Sequence, residues 1–260
     1  MSVGAVLIAH NNGQTDYYRL ACICAKKIKK HLDIPVTLLT DTNTLSGKNF
    51  DETFDSVVEI NSQMDNERKL FSQLQGFYND TRCQAYDHTP YDTTLLVDVD
   101  YIVNSDVLKQ FLQADQSFMM AEGIVNFGNS EDALISPKSI KMKWATTIIF
   151  KKDKIAKAVF DQVKHIRNNY NFYVDMYGIN SNNFRNDIAF SIAEHIVYGL
   201  RSPEVSLPKI LFLTDKDAVL DIVGNNITVR HQKSVFDFCD MDYHVMDKSV
   251  ITRLEAEILA

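Results

Sequence analysis

A chain of 260 residues, 45% hydrophobic and 23% charged, can bury one substantial core, as one elaborated domain or two small ones. Its net charge of −7 excludes a protein that tracks nucleic acid by bulk electrostatics, since neutralising phosphates needs concentrated Lys and Arg; a local basic groove stays open. No run approaches the roughly 18 apolar residues of a membrane helix, and the apolar run from Val3 to Ala9 has no basic flank before it, so a cytoplasmic protein without a membrane span is expected.

In chain order, Val3 to Ala9 reads as a buried strand, His10 to Thr15 as a polar turn, Tyr17 to Leu32 as an amphipathic helix and Val36 to Thr40 as a second strand. Pro35 separates helix from strand because proline cannot continue a helix. Nearly continuous apolar strands around a helix imply parallel pairing in a sheet covered on both faces, which makes the turn after the first strand a ligand site by default. Glu67 to Ala85 reads as a second helix, Thr93 to Val97 as a third buried strand and Val107 to Leu112 as a short helix. Residues 122–141 are rich in Gly, Asn, Ser and Pro and read as loop, followed by a strand from Trp144 to Phe150 and helices from Ile155 to Ile166 and Asp187 to Tyr198. The stretch Asn168 to Arg185 is too long and Asn-rich for a plain connector and is expected to be an acceptor loop. Beyond Pro208, Ile210 to Leu213 and Ile227 to Val229 are strand-like, and Lys248 to Ile258 reads as a last amphipathic helix.

Two basic stretches, Lys26, Lys27, Lys29 and Lys30 with Arg19, and Lys138, Lys141, Lys143, Lys151, Lys152 and Lys154, read as solvated faces. The four cysteines, two of them Cys22 and Cys24 on one helix, show neither zinc-ligand spacing nor a disulfide framework, and are expected to be reduced.

The sharpest feature is Thr94 to Val103, TLLVDVDYIV. An apolar strand running into Asp98-Val99-Asp100 puts two carboxylates at the exposed end of a sheet, where pleat alternation directs both to one side and Val99 to the other. Two hard oxygen donors there suit Mn²⁺ or Mg²⁺ bridging a diphosphate.

With that motif the sequence resembles the A-type glycosyltransferases, and most closely the glycogenin-like retaining nucleotide-sugar transferases, through motifs in the same order over most of the chain. The resemblance implies an α/β fold: a single Rossmann-like domain over residues 1–260 with a mostly parallel central sheet and a C-terminal extension, 1–112 forming the nucleotide- and metal-binding half and 113–260 the donor-sugar and acceptor half. It implies a UDP-linked sugar donor and a metal, Mn²⁺ or Mg²⁺, on Asp98 and Asp100. Asn12, Asp16 and Tyr18 occupy the family's nucleotide turn, with Tyr18 stacking on the base, and His10 and Asn11 lining the same crevice; Val99 joins the donor-binding set. Arg82 stands sixteen positions before Asp98, where the family carries a basic residue that contacts donor sugar and diphosphate, with Lys69 in reserve; a guanidinium suits this because it stays charged and forks two oxygens.

Trp144 to Phe150 resembles the family's sugar-pocket strand but lacks its Asn and Gly. Asp187 stands near the family's Asp-Gln pair and would bond sugar hydroxyls and stabilise an oxocarbenium-like transition state. The family's C-terminal metal-binding histidine, followed by a lysine that meets the diphosphate, has two counterparts here, His231 with Lys233 and His244 with Lys248. The second is favoured, because it falls just before the last helix and leaves more room between His and Lys. A nucleotidyltransferase making nucleotide sugars would also hold metal at a strand end, but calls for a Gly-rich basic loop after the first strand, and His10 to Thr15 has one Gly and no Arg or Lys. The other alternative is a catalytically inactive binding module of the same fold. A saccharide, a protein or a hydroxylated DNA base all fit as acceptor.

Overall fold

The computed structural model describes every residue except 49–51, 63–65, 71–72, 79–80, 128–132, 138, 181–182, 202 and 215, and only the backbone of 66–70, 73–75 and 77. Lys138 and the Lys69 side chain therefore lie outside the described residues. Strand β1 (Val3–Ala9) leads through a polar turn into α1 (Tyr17–Leu32) and back to β2 (Val36–Thr40). The Asp16 carboxylate caps α1 by accepting the Arg19 N–H, and the helix ends at Asp33, whose left-handed φ of 57° turns the chain ahead of Pro35. After α2 (Thr42–Leu45) and β3 (Ser56–Glu59), the chain forms an antiparallel hairpin of β4 (Asn66–Leu70) and β5 (Gln73–Phe77) where Glu67 to Ala85 reads as helix. Strand pairing overrides the helix-favouring Glu, Lys, Leu and Gln of that stretch, since propensity is a weak prior. Among the described residues there, only a 3₁₀ turn over Arg82–Gln84 and the short α3 (Ala85–His88) are helical.

There follow β6 (Thr93–Val97), β7 (Tyr101–Ile102), α4 (Leu108–Leu112), β8 (Phe118–Ala121), β9 (Ile124–Val125), β10 (Trp144–Lys151) and α5 (Lys154–Asn168). Next is α6 (Tyr170–Tyr177), which makes much of the expected acceptor loop helical: Tyr170, Tyr173 and Val174 share the buried face at helical spacing, and Gly178 closes it at a φ of 62°. The chain continues with α7 (Asn186–Val197), β11 (Ile210–Leu213), β12 (Asp217–Val223), β13 (Asn226–His231), β14 (Ser234–Cys239), β15 (Tyr243–Val245), α8 (Lys248–Arg253) and α9 (Glu255–Leu259).

The central sheet has the order β3-β2-β1-β6-β10-β8. Its first three pairings are parallel and its last two antiparallel, so the α/β class with a mostly parallel sheet is as expected. One apolar cluster fills the face under α1 and a second sheet, β7-β15-β11-β9, while another fills the face under α5 and α7. The strands β12-β13-β14 form a separate antiparallel sheet. No described helix is long and apolar enough to cross a membrane.

Two lysines of the basic stretches are buried rather than solvated: Lys143 joins Glu194 at 2.7 Å, and Lys27, 1% exposed, donates to Asn104 Oδ1 at 2.9 Å. Burial, aided by Lys30 and opposed by Asp242, pulls the Lys27 ammonium from 10.5 down to about 8. A lysine with a lowered folded pKa destabilises the native state while it is charged, so stability rises with pH between about 8 and 10.5, where only the unfolded chain still binds that proton. The full swing is at most about 3 kcal/mol. Denaturant unfolding at pH 7 and 9.5 is expected to show wild type gaining on Lys27→Met at the higher pH; a difference independent of pH would refute the assignment.

Candidate metal and nucleotide site

β6 delivers Asp98 to the edge of the core, but the pleat does not continue through Asp100. The Tyr101 N–H donates to the Asp98 carbonyl at 3.1 Å, and this turn makes the two carboxylates converge. Val99 projects into the core and is 4% exposed, so the motif offers a ligand no Val99 side chain. Asp100 is also buried, 6% exposed, instead of standing at an open sheet end. The reason is β15, which pairs antiparallel with β7 and sets His244 opposite Tyr101.

His244 Nε2 lies 3.1 Å from Asp100 Oδ1, and Lys248 Nζ lies 2.7 Å from Asp100 Oδ2. Donor atoms of Asp98, Asp100 and His244 all fall within 4.8 Å of one another. His231 is elsewhere: on β13 it bonds Asp217 at 2.6 Å and stacks on Phe127. Arg82 reaches the site from its 3₁₀ turn, with one guanidinium nitrogen 2.5 Å from Asp98 Oδ1 and another donating to the Ala145 carbonyl. Asp187, in the first turn of α7, accepts the Ala145 N–H at 2.9 Å on one oxygen and meets Arg185 at 2.9 Å with the other. Asp98, Asp100, Arg82, His244, Lys248 and Asp187 therefore surround the start of β10.

The charges are interlocked. Burial works against an ionised Asp100, but Lys248 and His244 outweigh it and hold the carboxyl well below its usual range. The Asp98 carboxyl is raised by burial, with Arg82 opposing and Asp100 adding to the rise. Burial would lower Lys248, yet Asp100 and Tyr17 raise it overall.

Two carboxylates and an imidazole in this arrangement suit Mn²⁺, which accepts mixed oxygen and nitrogen donors. Buried polar atoms with no partner among the described residues also gather here: Arg82 Nε, Trp144 Nε1, Arg185 Nε, Asn186 Oδ1 and His244 Nδ1. Orphaned buried groups are rare in finished protein interiors and fit a region built around a ligand.

At the β1 end, His10 Nδ1 lies 2.9 Å from Asp41 and 3.2 Å from Ser62 Oγ, and its ring sits 5.1 Å from that of Tyr78. Asn11 is spent on local structure, accepting the Tyr18 N–H and donating to Asp16, while Asn12 accepts the N–H groups of Gln14 and Thr15. Asp16 pairs with Lys48 at 2.7 Å. Asn11, Asn12 and Asp16 thus shape the turn.

Tyr18 cannot stack on a base in this structure. It is 7% exposed, packed edge-on against Phe54 with Lys48 above its ring. Its neighbour Tyr17, one helical step round, faces the site; burial raises its hydroxyl, with Lys248 opposing and Asp100 and Asp98 adding. Tyr17 and Arg185 are residues that sequence reasoning missed. The adjacent tyrosines carried a signal: helical spacing sets Tyr18 on the buried face with Ala21, Cys22 and Ala25 and leaves Tyr17 to the site.

No protein-family model matches the chain, and no curated protein matches it significantly in sequence. Among solved structures it is similar to the apo-form glycosyltransferase GlyE of Streptococcus pneumoniae TIGR4, at 15% identity and a TM-score of 0.44, covering 80% of this chain and 45% of that one. It is also similar to an active-site mutant of LgtC, at 13% identity and a TM-score of 0.47, covering 74% of this chain and 69% of that one. The galactosyltransferase LgtC in complex with donor and acceptor sugar analogs matches at 12% identity with the same TM-score and coverage. This chain spans less than half of the GlyE chain.

Proposed function

We propose that the chain is a metal-dependent glycosyltransferase that moves a sugar from a nucleoside diphosphate donor, UDP-linked, to an acceptor hydroxyl with retention of configuration. The observation that carries this reading is the convergence of Asp98, Asp100 and His244 within 4.8 Å, flanked by Arg82 and Lys248. The three ligands would hold Mn²⁺, which supplies neutralisation of charge on a departing diphosphate. Arg82 and Lys248 add fixed cations where that charge develops, and because both are already held by Asp98 and Asp100 they need little reorganisation. His10, with the Tyr78 ring 5.1 Å away, and Tyr17, beside Lys248 and the Asp pair, are the side chains assigned to the nucleoside. Asp187, held by the Ala145 N–H and Arg185, is the carboxylate assigned to the sugar hydroxyls. The acceptor is a saccharide, a protein or a hydroxylated DNA base.

A diphosphate facing Asp98 and Asp100 is repelled until a cation lies between them. Calorimetric titration of UDP is therefore expected to show binding at least roughly tenfold tighter with Mn²⁺ than in EDTA. Equal affinities would overturn the reading.

A further inference from the structure

The strands that bring His244 to the Asp pair are very short. β7 is Tyr101–Ile102 and β15 is Tyr243–Val245, joined by the pairs Tyr243↔Ile102 and His244↔Tyr101 and by the Val245 N–H on the Asp100 carbonyl at 3.1 Å. β15 is also paired with β11 on its other edge, but so brief a ladder to β7 gives weak control over the distance from His244 to the Asp pair. Packing does not supply the rest on one side, where a cavity of about 160 Å³ opens beside Tyr101, Ser105, Thr147, Ile210 and Asp242.

Asp242 supplies what ladder and packing do not. It is 8% exposed and immediately precedes β15. Its Oδ1 accepts the Asn104 N–H at 2.8 Å and the Ser105 hydroxyl at 2.9 Å, and its Oδ2 accepts the Tyr101 hydroxyl at 3.0 Å. One carboxylate thus grips three residues of the 101–105 segment that follows Asp100, from a point two residues before His244. Asn104 is fixed in turn, its amide oxygen accepting from the buried Lys27 ammonium at 2.9 Å and its amide nitrogen donating to the Asn225 carbonyl at 2.8 Å. We propose that Asp242 is a positioning residue of the metal site, a carboxylate clamp that locks β15 against the Asp98–Asp100 turn and so holds His244 within ligand reach. Its carboxylate bonds Tyr101, Asn104 and Ser105 instead of Asp98, Asp100 or His244, and it acts through the segment it pins.

This inference rests on the metal reading above, and Mn²⁺ alone tests the two separately. Binding of Mn²⁺ to the full chain is followed by electron paramagnetic resonance, with thermal unfolding as the check on folding. Asp242→Asn keeps the side-chain shape but sets an amide N–H₂ against donors, and it is expected to weaken Mn²⁺ binding about 10-fold or more, the scale seen when an outer partner of a ligand is lost. Tyr101→Phe, which deletes one hydroxyl and leaves the other two bonds, is expected to weaken it by less and serves if the first variant does not fold. In a His244→Ala background either substitution is expected to change affinity by less than about twofold, because the residue it positions is gone. A folded Asp242→Asn chain with wild-type Mn²⁺ affinity overturns the clamp alone. So does a full further loss in the His244→Ala background, which a merely structural role would produce. A wild-type chain that binds no Mn²⁺ overturns the metal reading and the clamp with it.

Discussion

Asp100→Asn is expected to reduce Mn²⁺ affinity by more than the roughly 10–100-fold typical of losing an outer partner of a ligand, and to destabilise the fold as well. The second effect follows from burial. Asp100 is 6% exposed and neutralises Lys248 at 2.7 Å, so the amide leaves a largely buried ammonium without its counter-charge. Breaking a buried pair from one side costs about 3 kcal/mol, whereas removing both charges together is often neutral. Adding Lys248→Met to Asp100→Asn is therefore expected to restore most of the lost stability without restoring Mn²⁺ binding. Thermal unfolding and Mn²⁺ titration of the single and double variants separate the two roles. If the double variant regained the metal, or the single variant never lost it, Asp100 would be a structural carboxylate only.

What the sequence makes legible follows from how local each cause is. The run Thr93 to Val97 is continuously apolar and can only be a buried strand, which fixes where Asp98 emerges; the parallel pairing around β1 is legible for the same reason. The sixteen-residue interval from Arg82 is a short loop closure, and the two side chains do meet. The path leading up to Arg82 is misread, because Glu67 to Ala85 holds helix-favouring residues whose strand pairing is decided by partners and not by composition. Lys27 and Lys143 look solvated in a basic run, yet each is drawn inside by a polar partner remote in sequence, Asn104 and Glu194. Tyr17 and Tyr18 differ by one helical step, and it is Tyr18 that shares the buried face with Ala21, Cys22 and Ala25. Likewise, β15 finds β7 across more than 130 intervening residues, so the choice between His231 and His244 has only a weak trace in local spacing.

That choice yields the second large effect. A divalent ion held by two carboxylates still has coordination positions to fill, and imidazole is an acceptable donor to Mn²⁺ while Mg²⁺ prefers oxygen. His244 Nε2 stands 3.1 Å from Asp100 Oδ1, and Phe212, stacked on its ring with centroids 5.1 Å apart, restricts the ways it can turn away. His244→Ala is therefore expected to raise the Mn²⁺ concentration needed for half-saturation about 10-fold or more, with a smaller change for Mg²⁺. His231 should behave differently: its partner Asp217 has a side chain only 1% exposed, and the ring stacks on Phe127 within the β12-β13-β14 region. Deleting it leaves a buried carboxylate short of one partner, at a cost of about 1–3 kcal/mol in stability, with Mn²⁺ binding unchanged. Metal titration and thermal unfolding of both variants decide the matter. A Mn²⁺ curve shifted by His231→Ala and untouched by His244→Ala would transfer the ligand role to the earlier histidine, and two unshifted curves would leave the metal to the carboxylates alone.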